Sequence, residues 1–142
     1  AMKRKLFGYV EQSFHPVPGT VEEQISLYDP AISREQVENA AKLIGLHENI
    51  VLLSTGYDTP MEDAALSQGQ LQLLLIVRAV AASPRIMLLD EITANLDSDT
   101  EHRILEALER ASKGRTVLSI SHRLHEHTHD RRIIQLDRLR IS

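Results

Sequence analysis

The chain has 142 residues, of which 42% are hydrophobic and 25% are charged, a balance typical of a single soluble globular domain. It contains no cysteine, which excludes disulfide bonds and thiolate metal ligands. Its net charge of −4 gives no electrostatic case for a nucleic-acid partner, so none is expected. Its apolar runs are too short to cross a bilayer, and its first residues lack the hydrophobic segment of a secretory signal.

Apolar and β-branched runs predict the strands of a sheet. The first strand is short, at Leu6–Val10, and a closing pair is predicted at Arg132–Leu136 and Leu139–Ser142. Ile86–Leu89 is an unbroken apolar run, as expected of a strand that helices cover on both faces. With the next strand, Thr116–Ser121, and the helix between them it forms a βαβ unit with a right-handed crossover. These runs predict an α/β fold with a parallel sheet.

Capping signals and apolar spacing predict two helices after the first strand. Ser33 and Gln36 form a capping box, and the helix that they open presents one apolar face before it ends at Gly45. A shorter helix is predicted at His47–Leu53, and a loop rich in glycine, threonine and acidic residues follows at Ser54–Ala65.

Two further helices flank the buried strand. Ser67 opens a strongly apolar helix that runs to about Ala82. After the strand, Ser98 and Glu101 form another capping box, and Gly114 ends the helix that they open.

Two groups of polar residues stand where these elements begin or end. Gln12 follows the first strand, and its amide oxygen can coordinate a hard cation or hold a water, although a lone surface glutamine is the simpler interpretation. Ser67, Gln68, Gly69 and Gln70 open the apolar helix, whose free N–H groups and dipole make its N-terminus suited to an anion. An ordinary serine N-cap also explains Ser67 but explains Gly69 poorly, because glycine in a first turn is unfavourable.

Acidic and histidine side chains follow the two central strands. Asp90 and Glu91 end the apolar strand, so at a phosphate site Asp90 would hold Mg²⁺ and Glu91 would act as the general base for the attacking water. His122 follows the neighbouring strand and could donate a hydrogen bond to a γ-phosphate and to that water. A solvated acid pair and a structural histidine are the alternatives.

The order and spacing of these motifs resemble the nucleotide-binding domain of ATP-binding cassette (ABC) transporters, over nearly the whole chain. The resemblance implies roles in binding and hydrolysing ATP with Mg²⁺ for the residues of each motif. They are the Q-loop glutamine Gln12, the signature motif Ser67 to Gln70, the Walker B residue Asp90, the catalytic glutamate Glu91, the D-loop ending at Asp97 and the switch histidine His122. The segment after Gln12 and the residues after His122 resemble the exporter branch.

The resemblance also implies an architecture and partners. It predicts part of a P-loop NTPase (RecA-like) core with an inserted α-helical subdomain, divided into residues 1–14 (core strand and Q-loop), 15–82 (helical signature subdomain) and 83–142 (the rest of the core). The implied partners are a transmembrane domain and a second nucleotide-binding domain, identical or not. The implied location of the intact transporter is the cytoplasmic face of the plasma membrane, with this portion soluble by itself.

The chain contains no G-x-x-x-x-G-K-[ST] loop, which cradles the phosphates in P-loop ATPases. We therefore interpret the chain as the C-terminal portion of such a domain and expect it to bind ATP weakly and not to hydrolyse it alone. The alternative is a non-enzymatic, truncated cassette that regulates a partner. A metal site built from His122, His125, His127 and His129 is a further alternative, but the flanking charges favour a solvated loop.

Overall fold

The described part of the chain, residues 7–10, 14–90, 97–120 and 133–136 of this computed structural model, contains one parallel sheet. Its strands are β1 (Phe7–Val10), β2 (Ile86–Asp90), β3 (Thr116–Ile120) and β4 (Ile133–Leu136), which pair in that order. Because every pair is parallel and β2 and β3 are joined through a helix, the prediction of an α/β fold with a βαβ unit is confirmed. The predicted strand at Leu139–Ser142 lies outside the described residues, as do Leu6, Ser121 and Arg132.

Helices account for most of the rest of the described chain. They are α1 (Val21–Ser26), α2 (Arg34–Ile44), α3 (His47–Val51), α4 (Gln68–Ala81) and α5 (Ser98–Ala111). The predicted loop at Ser54–Ala65 holds two short 3₁₀ turns, Gly56–Asp58 and Met61–Asp63. Among the described residues, no helix has both the length and the apolar character needed to cross a bilayer.

Capping side chains set the helix ends, in the manner predicted for α2. The Ser33 hydroxyl accepts from the N–H of Gln36, and the Gln36 amide oxygen accepts from the N–H of Ser33. At the other end Gly45 adopts a left-handed conformation with φ of 94°, which costs little only for a residue without a Cβ atom. A capping box of Thr20 and Glu23 opens α1, a helix that was not assigned from the sequence.

The predicted capping box at the start of α5 is wrong. Asp97, not Ser98, is the N-cap, and its carboxylate accepts a hydrogen bond from the backbone N–H of Thr100. A charged oxygen at this position satisfies a free N–H and also interacts favourably with the positive end of the helix dipole. This leaves Ser98 and Glu101 inside the first turn, rather than as a reciprocal pair.

One hydrophobic core connects the helices to the sheet. α4 lies at its centre, since Leu74, Ile76 and Val77 are all fully buried. This agrees with the strongly apolar sequence of that helix, which no amphipathic surface helix would show. The other elements bury large side chains against the same core, among them Ile25 of α1, Ile44 of α2, Met87 of β2 and Ile104 of α5.

A fully buried glutamine fixes the segment between β1 and α1. The side chain of Gln24 accepts from the N–H of Val17 at 2.8 Å and donates to the carbonyls of Val17 at 2.8 Å and Thr20 at 3.2 Å. It thus replaces the backbone pairing that the proline-containing segment cannot make for itself.

We expect the substitution Gln24→Met to lower the free energy of unfolding by about 1–3 kcal/mol, because it leaves part-buried backbone groups of Val17 without partners. Equilibrium denaturation measures this change. The matched control is Gln68→Met at an exposed position of α4, expected to change stability by less than about 0.5 kcal/mol. Equal effects of the two substitutions would refute the role of Gln24.

Candidate functional site

The carboxyl ends of β1, β2 and β3 lie side by side at one edge of the sheet. The pairing aligns Val10 with Leu89, and Asp90 with Ile120. Adjacent strands are about 4.8 Å apart, so the chain leaves the sheet at neighbouring points. β2 is the middle strand of the three, and its last residue is Asp90. Open parallel sheets bind ligands beyond such an edge.

The predicted catalytic and metal-binding side chains follow these strand ends. Gln12, Glu91 and His122 lie outside the described residues, and only the backbone of Asp90 is described. Their convergence therefore stays a prediction. The described backbone meets one condition for it, because the strands that precede these residues are adjacent, parallel and in register.

The predicted signature motif forms the N-terminus of α4 as a reciprocal capping box. The Ser67 hydroxyl oxygen accepts from the N–H of Gln70 at 3.1 Å, and the Gln70 amide oxygen accepts from the N–H of Ser67 at 2.9 Å. The hydroxyl proton of Ser67 and the amide NH₂ of Gln70 have no hydrogen-bond acceptor in the described part of the chain. Both side chains therefore present donors to the space in front of the helix.

Two backbone donors complete this set. The N–H groups of Gln68 and Gly69 belong to the first turn of α4, where no intrahelical acceptor exists, and they have no partner among residues 7–10, 14–90, 97–120 and 133–136. Together with the hydroxyl of Ser67 and the amide of Gln70, they form an array of donors at the positive end of a helix dipole. Such an array favours an anion over a cation or a neutral group.

Gly69 allows the first turns of α4 and α5 to touch. A Cβ atom built on Gly69 would lie 2.6 Å from Cγ2 of Thr100, closer than carbon atoms tolerate. Close helix packing therefore explains this glycine, which a simple N-cap does not. Thr100 also hydrogen-bonds Asp97, and this bonding holds the pKa of the Asp97 carboxyl below its ordinary value.

Residues of the predicted signature motif and residues of α5 line a common cleft. Ser67, Gly69 and Gln70 form one side, and Thr100 and Arg103 form the other. Its volume of about 40 Å³ is close to that of one water molecule, so it admits a single small polar group and not a nucleotide. The sequence analysis does not predict Thr100 or Arg103 as site residues. The sequence signal that could have grouped them is their three-residue spacing, which places both on one face of α5.

A larger apolar groove of about 560 Å³ lies between two loops, outside the predicted site. One wall runs from Phe14 to Gly19, and the other runs from Met61 to Leu66 and on to Leu71. The loops are tied together by an antiparallel bridge between Thr20 and Pro60, in which the N–H of Met61 donates to the Gly19 carbonyl. The volume falls within the range of small-molecule binding sites. The described residues contain no cluster of potential metal ligands.

Comparisons with known proteins identify the family. The ABC transporter family model matches residues 1–94. The mycobactin import ATP-binding/permease protein IrtA of Mycolicibacterium smegmatis is 44% identical over 135 residues, which are 94% of this chain and 16% of that protein. The uncharacterized ABC transporter ATP-binding protein YfiC of Bacillus subtilis is 44% identical over 126 residues, or 87% of this chain and 21% of that protein.

A third relative is the toxin RTX-III translocation ATP-binding protein of Actinobacillus pleuropneumoniae, which is 39% identical over 137 residues, or 95% of this chain and 19% of that protein. The chain thus spans about a fifth or less of the length of these relatives. The family match covers well over half of the chain, so the chain belongs to the ABC transporter family. The resemblance stated from the motifs is confirmed.

We expect the substitution Gly69→Ala to lower the free energy of unfolding by about 1–2 kcal/mol, because overpacking against Thr100 outweighs the higher helix propensity of alanine. Thr100→Ser keeps the hydroxyl and removes only the Cγ2 atom, so the same alanine in that background should be neutral or slightly stabilising. A double-mutant cycle by thermal denaturation measures the coupling. Additive effects would show that the two helices do not meet at this point.

Proposed function

We propose that the chain supplies the signature helix and the metal- and water-activating edge of an ABC transporter's ATP-binding domain, in which ATP hydrolysis drives transport across a membrane. The observation that carries the proposal is the pairing of β2 between β1 and β3, which brings the ends of three motif-bearing strands to one sheet edge. The family match supports ATP as the ligand.

At the sheet edge, the residue types fit the chemistry of a nucleotide hydrolase. Asp90 and the amide oxygen of Gln12 are hard ligands suited to Mg²⁺, directly or through water. Glu91 takes the proton of the attacking water, and His122 donates a hydrogen bond to the γ-phosphate. The bound Mg²⁺ would neutralise the charge that develops on the phosphates.

We propose that the donor array at the N-terminus of α4 binds a phosphate group of a nucleotide that a second domain holds. Ser67, Gln68, Gly69 and Gln70 offer donors without a competing acceptor in the described chain, as a terminal phosphate requires. The cleft beside them admits one small polar group, which matches a phosphate oxygen rather than a whole nucleotide. Asp97 caps the adjoining helix and keeps Thr100 in place at the same cleft.

The partners follow from these two sites. A signature motif that acts on another domain's nucleotide implies a second nucleotide-binding domain, identical or not. The membrane partner is a permease segment, and the apolar groove beginning at Phe14 is the surface that we assign to it. The combined ATP-binding/permease name of the mycobacterial relative supports such a pairing. The intact transporter would then present this domain at the cytoplasmic face of the membrane.

The proposed division of the chain follows the described elements. Residues 1–14 contribute β1, residues 15–82 contribute α1 to α4 with the signature motif, and residues 83–142 contribute the other strands and α5. This is a partial RecA-like core with an inserted helical subdomain. We favour export because of the exporter-like sequence after Gln12 and after His122. Relatives of similar identity are named for import and for toxin translocation, so the proposal of export rests on those two sequence segments and not on the names of the relatives.

In a complete cassette that contains these residues, we expect Glu91→Gln to abolish ATP turnover while ATP binding persists, because the amide cannot accept the proton of the attacking water. Phosphate release and nucleotide binding are measured on the same sample. Glu109→Gln, an exposed residue of α5, is the matched control and should leave both unchanged. Retained turnover in the Glu91 variant would contradict the assignment of this residue as the base.

For the 142-residue chain by itself, we expect no measurable ATP hydrolysis and only weak MgATP binding, because its sequence holds no P-loop to cradle the phosphates. Isothermal titration calorimetry with MgATP tests this. A dissociation constant in the micromolar range would overturn it. Tight binding of an unrelated protein in place of nucleotide would favour the alternative, a non-enzymatic regulatory module.

A further inference from the structure

Arg110, in the last turn of α5, reaches across to the carboxyl end of α2. Its Nε donates to the carbonyl of Leu43 at 2.6 Å, and its Nη2 donates to the carbonyl of Ile44 at 2.7 Å. Both carbonyls belong to the final turn of α2, where no helical N–H is available to them. A guanidinium placed there satisfies two acceptors at once and interacts favourably with the negative end of the helix dipole.

The neighbouring glycine is matched to this contact. A Cβ atom on Gly45 would lie 3.1 Å from Nη2 of Arg110, so a larger residue would press on the guanidinium. Gly45 also takes the left-handed conformation that ends α2 and leaves its carbonyls open toward α5. Arginine and glycine together therefore form a specific junction between the two helices.

α5 is consequently attached to the helical part of the chain at two separate points. Its first turn meets α4 through Thr100 and Gly69, and its last turn meets α2 through Arg110. These points are about 15 Å apart along α5, given a rise of about 1.5 Å per residue. Between these points Ile104, Ala107 and Leu108 of α5 are buried in the shared core, so the two end contacts add directional restraints to an apolar interface that is itself non-directional.

We propose that Arg110 is a positioning residue that sets the orientation of α2 relative to α5 and, through α2, that of the proposed signature helix α4. It acts through α2, which packs on both α4 and α5. The consequence is that the donors at Ser67 to Gln70 are held in a fixed relation to Asp97 and to the sheet edge from which α5 departs. This consequence rests on the proposed function, because it concerns the binding of a phosphate at the signature motif.

The orientation is measured without nucleotide by the distance between two spin labels. The chain has no cysteine, so labels can be attached at Asn39→Cys on α2 and His102→Cys on α5, both exposed positions. We expect one narrow distance distribution in this background. Arg110→Met, which keeps most of the aliphatic stem but removes both donors, should replace it with a broad or two-peaked distribution.

Two controls and one replacement variant separate an effect on helix orientation from an effect on stability. Labels at Asn39→Cys and Glu48→Cys, within the α2–α3 segment, should give the same distance in both backgrounds. Lys113→Met removes an equal charge near the same end of α5 and should leave the α2–α5 distance narrow. If Arg110→Met does not fold, as judged by circular dichroism, Arg110→Lys takes its place, and its single ammonium should give an intermediate width.

An unchanged, narrow α2–α5 distance in Arg110→Met, or in Arg110→Lys where only that variant folds, would overturn the proposal.

In a complete cassette, the same substitution should raise the KM for ATP several-fold more than it lowers kcat, because it displaces donors that bind phosphate and not the hydrolytic groups. A broadened distance with unchanged KM would refute the positioning role. A cassette with no ATPase activity even before substitution would instead refute the proposed function and leave the distance result standing.

Discussion

The parallel pairing of β2 with β1 and β3 is the constraint on which the candidate site depends. Parallel strands must leave a sheet at the same edge, so the residues that follow Val10, Asp90 and Ile120 start from adjacent points, although 80 residues separate the first two of these in the sequence. The cost of bringing such distant segments together is recovered through the buried core around α4. This helix packs on β1 and carries the proposed signature motif at its N-terminus. Packing and site geometry are therefore set by the same elements.

Capping hydrogen bonds at the start of α4 have chemical consequences as well as structural ones. A reciprocal box uses the acceptor atoms of Ser67 and Gln70 within the helix, and this leaves their donor hydrogens for a ligand. The same interaction that starts the helix thus leaves donors, and not acceptors, for the phosphate that we propose to bind there. At α5 the cap is a carboxylate, Asp97, which satisfies its own helix. The α4 side of the cleft between the two helices therefore offers hydrogen-bond donors at the positive end of a helix dipole, as the proposed phosphate site requires.

Local patterns in the sequence predicted much of this structure, and the exceptions have physical reasons. The ends of α2 and α4 follow from Ser33, Gly45 and Ser67, because capping is decided within a few residues. For α5 the same local rule favours Ser98 as the cap, because a glutamate follows it three residues later. The preceding Asp97 takes this position instead, where its charged carboxylate also interacts favourably with the helix dipole. Thr100 and Arg110 were not predicted, since their partners on α4 and α2 are distant in sequence. Helical spacing shows which face of α5 such residues share, but not which distant residues they contact.

The family match and the chain-specific contacts answer different questions. Membership in the ABC transporter family accounts for the order of the predicted motifs, and the sheet accounts for the strands that precede three of them ending at one edge. Neither explains why an arginine and a glycine face each other between α5 and α2. If the helical segment has to keep a defined angle while nucleotide binds at its tip, a contact far from that tip is the effective place to fix it. A small rotation moves the distant end most, so a pair of hydrogen bonds about 15 Å from the Gly69–Thr100 contact resists rotation better than the same bonds beside it.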